Sequence, residues 1–212
     1  MKLSTIKRIC VDAHQFKIYT DENGCQWIGS SNAAYLSGGI HFTAQNIAEI
    51  FDLTEKQCEK VSVEEVSMEE SDLQPVTFAA GANWAMMRSG LPFLYLDEML
   101  RPLNYRGKLY IVLEEMVRAA ASNGGEYTNF YMGENRFGEP LIFLSDGMIV
   151  AGVLRPIPEE TAKTCRAWLL EYGALELGEW KRTDEMPADD ADEPGGQISI
   201  DDMRDAEAED ED

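Results

Sequence analysis

Apolar and polar positions alternate over residues 16–31 in the manner of a β-hairpin. At its centre lies Asn23-Gly24, a dipeptide that favours a two-residue turn because both positions tolerate positive φ. A two-residue loop there pairs the strands so that alternate apolar side chains meet on one face. We predict that this core face carries Phe16, Ile18 and Trp27.

Strand and helix periods follow one another in the next forty residues. Residues 33–36 predict a third strand, and Thr43 is a good N-cap for a helix whose apolar positions recur through 44–51. Thr54 is predicted to cap a further helical turn. The valines of 61–66 indicate another strand, which needs a β-bulge to place all of them on one face.

The middle of the chain gives weaker signals. We predict a short helix at 97–100 that ends before Pro102, because the residue before a proline avoids helical geometry. Apolar spacing over 109–122 fits a helix. Residues 109–113 are equally compatible with a buried strand followed by a helix, because short apolar runs do not separate the two.

A three-stranded antiparallel meander is the clearest pattern in the chain. The predicted strands are 127–134, 141–144 and 148–151. A turn at Asp146-Gly147 pairs Leu144 with Ile149 and leaves both faces apolar, as expected of central strands. Pro158 then opens a helix with an acidic first turn.

These elements predict an α+β fold in which antiparallel meander and hairpins pack against several helices. The body is 1–182, either as one unit or as two subdomains, 1–72 and 73–182. Residues 183–212 hold 14 acidic residues, one basic residue and no aromatic residue. Such a segment buries too little apolar surface to offset its ordering entropy, so we predict a disordered acidic tail.

Charge and cysteine content narrow the function classes. Of the net charge of −21, −13 falls in 183–212, which leaves −8 for the body. No cluster of Lys and Arg is visible, so direct binding to nucleic acid or to anionic membranes is not expected. No apolar run suits a membrane span or a signal peptide, and the four cysteines are too sparse for a disulfide scaffold. We therefore expect a cytoplasmic protein with reduced thiols.

No organised catalytic, metal or phosphate-binding motif is present. The two histidines, His14 and His41, lack Cys, His or carboxylate neighbours at ligand spacing, and no glycine pattern forms a phosphate loop. We predict no cofactor, no metal and no enzymatic activity. An open cleft that brings either histidine to a thiol or a carboxylate would contradict this prediction.

The first functional hypothesis is a non-catalytic acidic protein, typical of a phage or mobile element, that binds a protein partner with a basic surface. It would inhibit a nucleic-acid-handling enzyme by nucleic-acid mimicry, through electrostatic steering. The alternative is that the acidity only keeps the chain soluble. Trp84, in a loop-like region, is a candidate exposed aromatic, with burial in the core as the alternative. The candidate acidic surface is Glu64, Glu65, Glu69, Glu70 and Asp72.

The second hypothesis is a sliding-clamp-like accessory protein of DNA replication. Residues 27–29, 43–51 and 61–66 resemble the strand–helix–strand unit of sliding clamps, and 139–156, with its Pro-Leu-Ile and Val-Leu-Arg-Pro runs, is similar to a clamp's closing hairpin. The resemblance implies sheets outside and helices inside, related by a pseudo-twofold axis, with a basic inner surface. A continuous helix over 109–122 would count against it.

Two further possibilities remain open. Gln197, Ile198 and Ile200 form an apolar island in the tail that resembles the short peptide docking on bacterial clamps, although Asp201 stands where an apolar residue is expected. A chance match is the alternative. An enzyme whose site is assembled from scattered residues is the third functional reading, and the sequence does not set the oligomeric state.

Overall fold

The computed structural model describes residues 1–74, 85–120, 128–147 and 149–171. These residues form five α-helices: α1 (Leu3–Asp12), α2 (Ile47–Ile50), α3 (Glu55–Cys58), α4 (Glu114–Ala120) and α5 (Glu159–Glu171), with a 3-10 turn at Met68–Glu70. They also form twelve strands: β1 (Gln15–Thr20), β2 (Gln26–Gly29), β3 (Ala33–Leu36), β4 (Ser62–Ser67), β5 (Ala85–Met86), β6 (Arg88–Ser89), β7 (Phe93–Tyr95), β8 (Glu98–Tyr105), β9 (Lys108–Leu113), β10 (Thr128–Glu134), β11 (Pro140–Asp146) and β12 (Ile149–Leu154). The predicted α+β class is confirmed.

Eight of the described strands form one sheet in the order β4-β1-β2-β3-β12-β11-β10-β5. Only the β1–β4 pair in this sheet is parallel; the other described pairs are antiparallel. The two halves of the chain meet where β3 pairs with β12. Residues on both sides of position 72 therefore share one sheet.

The large sheet contains two copies of one topology. In the first, α1 precedes β1, β2 and β3; in the second, α4 precedes β10, β11 and β12. Because β3 and β12 are antiparallel neighbours, a twofold axis between them relates each α-β-β-β unit to the other. Each repeated unit therefore begins with its helix.

The two helices of the units lie side by side and antiparallel. The Lys2 amide, at the start of α1, donates to the Ala119 carbonyl near the end of α4 at 2.9 Å, while Arg8 forms an ion pair with Glu115 near the beginning of α4. Their apolar sides join the larger core on one face of the sheet, and burial at this interface holds the unit pair together. That core includes Ile6, Ile9, Phe16, Ile18, Ile28, Val117, Phe130, Ile142 and Leu144.

The opposite face of the sheet has a smaller core of its own. Tyr19, Trp27 and Phe143 are buried there beneath Met68 and Leu73, which follow β4. The sheet is thus apolar on both faces, as the meander predicted.

A second, four-stranded sheet has β8 at its centre, with β6 and β7 on one side and β9 on the other. The helix α5 packs on this sheet, where Trp168 lies 5.9 Å from the ring of Phe93 and 5.8 Å from that of Tyr95. Burial of Cys165 against Ile111 continues this contact. The helix predicted from Pro158 is confirmed.

The first hairpin is formed, but its predicted register is wrong by one residue. Tyr19 pairs with Trp27, because the Asp21 amide donates to the Cys25 carbonyl at 3.0 Å and closes a three-residue turn. The Asp21 carboxylate also accepts from the Cys25 amide at 2.9 Å, and Gly24 supplies the positive φ of 77°. Trp27 therefore lies on the face opposite to the one predicted for it.

Two other predictions need correction, and one open alternative is decided. Residues 97–100 are not helical: they belong to the β7–β8 hairpin, in which Leu100 pairs with Phe93. The region 109–122 begins as strand β9 and continues as α4, which is the strand-plus-helix alternative. In the second hairpin Asp146, rather than Leu144, pairs with Ile149, and a register shift follows between Leu144 and Ser145.

The strand predicted at 61–66 is β4, and it needs no bulge. Its register with β1 is continuous, and Val63 and Val66 pack into the two different cores. A strand at the edge of a two-sided sheet can bury alternate faces, so three valines need not share one face.

Candidate functional site

The five carboxylates of the candidate acidic surface all lie on or just after β4, at one edge of the large sheet. Glu64 and Glu65 are neighbours on β4, so their side chains leave opposite faces of the strand. Glu69 and Glu70 belong to the 3-10 turn after it, and Asp72 follows. All five are exposed.

Cationic and amide groups lie beside this set. The contacts are Lys17 Nζ to Glu64 Oε2 at 3.6 Å, the Ala44 amide to Glu65 Oε1 at 2.8 Å, Arg155 Nη2 to Asp72 Oδ2 at 3.4 Å, and Arg136 to the carbonyls of Glu69 at 3.2 Å and Glu70 at 3.0 Å. The carboxylates therefore form an interrupted line with positive charge next to it, rather than one uniform negative ridge.

The paired helices α1 and α4 present a different charge pattern. In a chain of net charge −21, residues 1–12 contain two lysines, one arginine and one aspartate. Arg118 of α4 adds a further exposed cation. Carboxylates neutralise part of this positive charge, because Arg8 forms an ion pair with Glu115 and Arg118 forms one with Glu114.

A cleft of about 380 Å³ lies where the C-terminal end of α1, the N-terminal end of α4 and the β7–β8 turn meet. Glu114 is buried in its wall and accepts from Arg101 Nε at 2.6 Å, from Arg101 Nη2 at 2.9 Å and from Arg118 Nε at 3.1 Å. The residues lining the cleft are Arg8, Asp12, Asp97, Glu98, Met99, Leu113, Glu114, Glu115 and Arg118.

Sequence reasoning missed this cleft because it assigned residues 97–100 to a short helix. As a β-turn and the start of β8, the same residues place Asp97 and Glu98 beside the helix pair. The turn signal available was weak, since neither Leu96 nor Asp97 is a glycine or an asparagine.

A second cleft, of about 390 Å³, contains one of the two histidines and a thiol. His41 and the exposed Cys25 both line it, together with the Gly38-Gly39 turn. The side chain of Gln26 holds the two walls together, because it donates to the Phe42 carbonyl at 3.0 Å and accepts from the Phe42 amide at 2.8 Å.

An open cleft that brings a histidine to a thiol would contradict the prediction of a non-catalytic protein, so the distance between the two groups matters here. In the part of the chain that the structure describes, no hydrogen bond joins the Cys25 thiol to the His41 ring. A nucleophile and its base are normally held within hydrogen-bond reach, with a third group orienting the base. His14 is elsewhere, in the turn between α1 and β1.

Several predicted features lie outside the described residues. These are Trp84, the tail 183–212 and its candidate motif Gln197, Ile198 and Ile200. Within the described ranges no group of three or more His, Cys, Asp or Glu side chains is placed to hold a metal ion. None of the helices in those ranges has the length and apolar character needed to cross a bilayer.

Comparisons with protein-family models, curated proteins and solved structures return no match for this chain. Any functional assignment therefore depends on the topology and surfaces described above.

Proposed function

We propose that this chain is a sliding-clamp-like accessory protein of DNA replication that acts in the cytoplasm through protein–protein contacts rather than catalysis. The observation that carries the proposal is the twofold arrangement of two α-β-β-β units, with α1 and α4 paired on one face of a continuous sheet. Paired helices on one face of a continuous sheet are the feature that the resemblance to sliding clamps leads us to expect.

Not every segment of that resemblance supports the proposal. The closing hairpin at 139–156 corresponds to β11 and β12, which belong to the second unit. The strand–helix–strand unit placed at 27–66 does not correspond to a repeat, because α2 is a single helical turn. The support comes instead from α1 and α4, and from the absence of a continuous helix over 109–122 among its described residues.

The charge distribution adds support of a different kind. A clamp meets the phosphate backbone with its helical side, where lysine and arginine are favourable. Lys2, Lys7 and Arg8 are contributed by α1 and the residue before it, in a protein that is strongly acidic overall. This support is modest, because Arg8 is already paired with Glu115 and the Lys7 ammonium already donates to the Asp52 carbonyl.

One chain supplies only two units, and two units cover part of a ring. In the described residues, the edge strands of the large sheet are β4 and β5. The unpaired backbone groups of an edge strand can pair with the edge strand of another copy. A head-to-tail contact between these two edges closes into a ring when the rotation between copies is suitable. The proposal therefore requires several copies around the DNA.

The test is retention on DNA of different topology. The full chain, assembled on a nicked circular plasmid with the host's clamp-loading fraction, should co-elute with the plasmid at a salt concentration that abolishes electrostatic binding. Linearising the same plasmid should release it, because a ring slides off free ends. Equal retention on circular and linear DNA, or none on either, would contradict the proposal.

Nucleic-acid mimicry is the second candidate, and the exposure of all five carboxylates from Glu64 to Asp72 favours it. The full chain should then inhibit a nuclease that has a basic groove, and lose the inhibition as salt rises. Replacing Glu64, Glu65, Glu69 and Glu70 by glutamine should weaken the inhibition. Undiminished inhibition by that variant would assign the effect to charge elsewhere in the chain.

A further inference from the structure

Four large apolar side chains are exposed within nine residues around the β7–β8 turn. Leu91 is 88% exposed, Leu94 57%, Leu96 80% and Met99 41%. Single exposed apolar residues are ordinary on a protein surface, but a contiguous group marks an interaction site. Neither the clamp topology nor the acidic set from Glu64 to Asp72 accounts for this group.

The hairpin that carries these residues is anchored on its other side. Phe93 and Tyr95 point towards α5, where both rings contact Trp168. Leu94 alternates with them and pairs with Met99 across the two strands, so these two side chains share the opposite, exposed face. The exposed face is therefore presented on a fixed support, which lowers the entropic cost of binding.

The turn residue Leu96 adopts a positive φ of 54°. For a residue with a Cβ this conformation costs about 1–2 kcal/mol, and glycine or asparagine would avoid most of that cost. The chain instead places a leucine there with four-fifths of its surface in water. Strain of this kind persists mainly where a side chain has a role beyond folding.

The cleft between α1, α4 and the β7–β8 turn, called the acidic cleft from here on, adjoins this apolar face. Met99 belongs to both. Two of the cleft's carboxylates have cationic partners: Glu115 pairs with Arg8, and Glu114 with Arg101 and Arg118. The other three, Asp12, Asp97 and Glu98, form no ion pair within the described residues. Glu98 pairs with Tyr95 and shares the face towards α5, so Asp12 and Asp97 are the two carboxylates without counterions beside the apolar strip.

We propose that this surface, formed by Leu94, Leu96 and Met99 with Asp12 and Asp97, docks a basic amphipathic helix of a protein partner. Leucine-type side chains at helical spacing would cover the apolar strip, and lysine or arginine on the flank would reach the carboxylates. A second copy of this chain fits less well, because it would bring the same carboxylates against one another. The proposal does not depend on the clamp-like function.

The test uses two fluorescent synthetic peptides of the same leucine and lysine composition and the full-length protein. One peptide places its leucines at i, i+3, i+4 and i+7, and the other is scrambled so that no apolar face forms. The wild type should bind the amphipathic peptide at least tenfold more tightly than the scrambled one, which separates docking from attraction to the acidic chain as a whole.

Variants locate the site. Leu94→Ser with Leu96→Ser should weaken binding about tenfold, as should Asp12→Asn with Asp97→Asn, since each pair removes one component of the surface. Phe137→Ser is the matched control, because Phe137 is 62% exposed but lies in the β10–β11 turn. Far-ultraviolet circular dichroism confirms that each variant is folded.

Several results would overturn the proposal. They are equal affinity for both peptides, unchanged affinity in the leucine or carboxylate variants, and an equal loss in Phe137→Ser. Self-association of the wild type that Leu94→Ser with Leu96→Ser abolishes would assign the surface to a second copy instead. A wild type that binds neither peptide would also refute it.

Discussion

Replacing Glu114 by glutamine should destabilise the fold by about 2–4 kcal/mol, a value set by the loss of a buried ion pair. Glu114 is only 4% exposed, and it follows β9 directly as the first residue of α4. Its two oxygens bind Arg101 through two hydrogen bonds of 2.6 and 2.9 Å, and Arg118 through one of 3.1 Å.

The size of the expected loss in stability depends on how exposed the two arginines are once the Glu114 charge is removed. Removing one partner of a buried pair typically costs about 3–5 kcal/mol, because the other charge stays desolvated. The Arg101 side chain is 21% exposed and keeps part of that penalty, whereas Arg118, at 59%, recovers its hydration. The expected loss is therefore somewhat below the full range for a buried pair.

Urea unfolding followed by tryptophan fluorescence measures this loss, with linear extrapolation to water. Glu115→Gln is the matched control, because the side chains of its pair with Arg8 are 33% and 61% exposed and the pair should contribute at most about 1 kcal/mol. A loss for Glu114→Gln no larger than that of Glu115→Gln would refute the reasoning. It would mean that the buried carboxylate is not what joins α4 to the second sheet.

Three further predictions concern buried tyrosines and exposed thiols. Tyr19→Phe should lower the free energy of unfolding in urea by about 1 kcal/mol, because the Tyr19 hydroxyl donates to the Ser30 carbonyl at 2.6 Å. Tyr35→Phe should be neutral or stabilising, because the Tyr35 hydroxyl is buried without a partner among the described residues. Burial raises the pKa of both tyrosines, so the unfolded chain ionises first and stability should fall as pH rises above about 10; a double phenylalanine variant that shows the same alkaline loss would contradict this. Cys25 should be alkylated at a rate similar to that of the exposed Cys58, and a markedly faster reaction that His41→Gln abolishes would indicate a prepared nucleophile and oppose a non-catalytic function.

The sequence predicted element types best where the pattern was long and regular. The meander of 127–151 has continuous apolar runs separated by turn residues, and the helix after Pro158 has a strong start signal; both elements are confirmed in the described residues. Registers were not predictable from turn dipeptides alone. The Asp21 carboxylate, which accepts from the Asn23 and Cys25 amides, selects a longer turn than Asn-Gly by itself suggests.

Other features depended on contacts between distant segments. The helix α1 has an apolar spacing in Ile6, Ile9 and Cys10, but the sequence pattern there predicts only that this stretch is too short for the apolar core of a signal peptide. The twofold relation of the two units becomes visible only when β3 and β12 are known to be neighbours. The acidic cleft likewise required the tertiary contact between α1, α4 and the β7–β8 turn.

Sedimentation equilibrium of the full chain over a wide concentration range tests most directly whether two α-β-β-β units per chain assemble into a ring. One chain has a mass of 23.8 kDa. Edge-to-edge closure predicts a single discrete species at a fixed multiple of that mass, which does not grow further with concentration because a closed ring leaves no free edge. A chain that remains monomeric throughout, or that grows without limit, would contradict the clamp-like assembly.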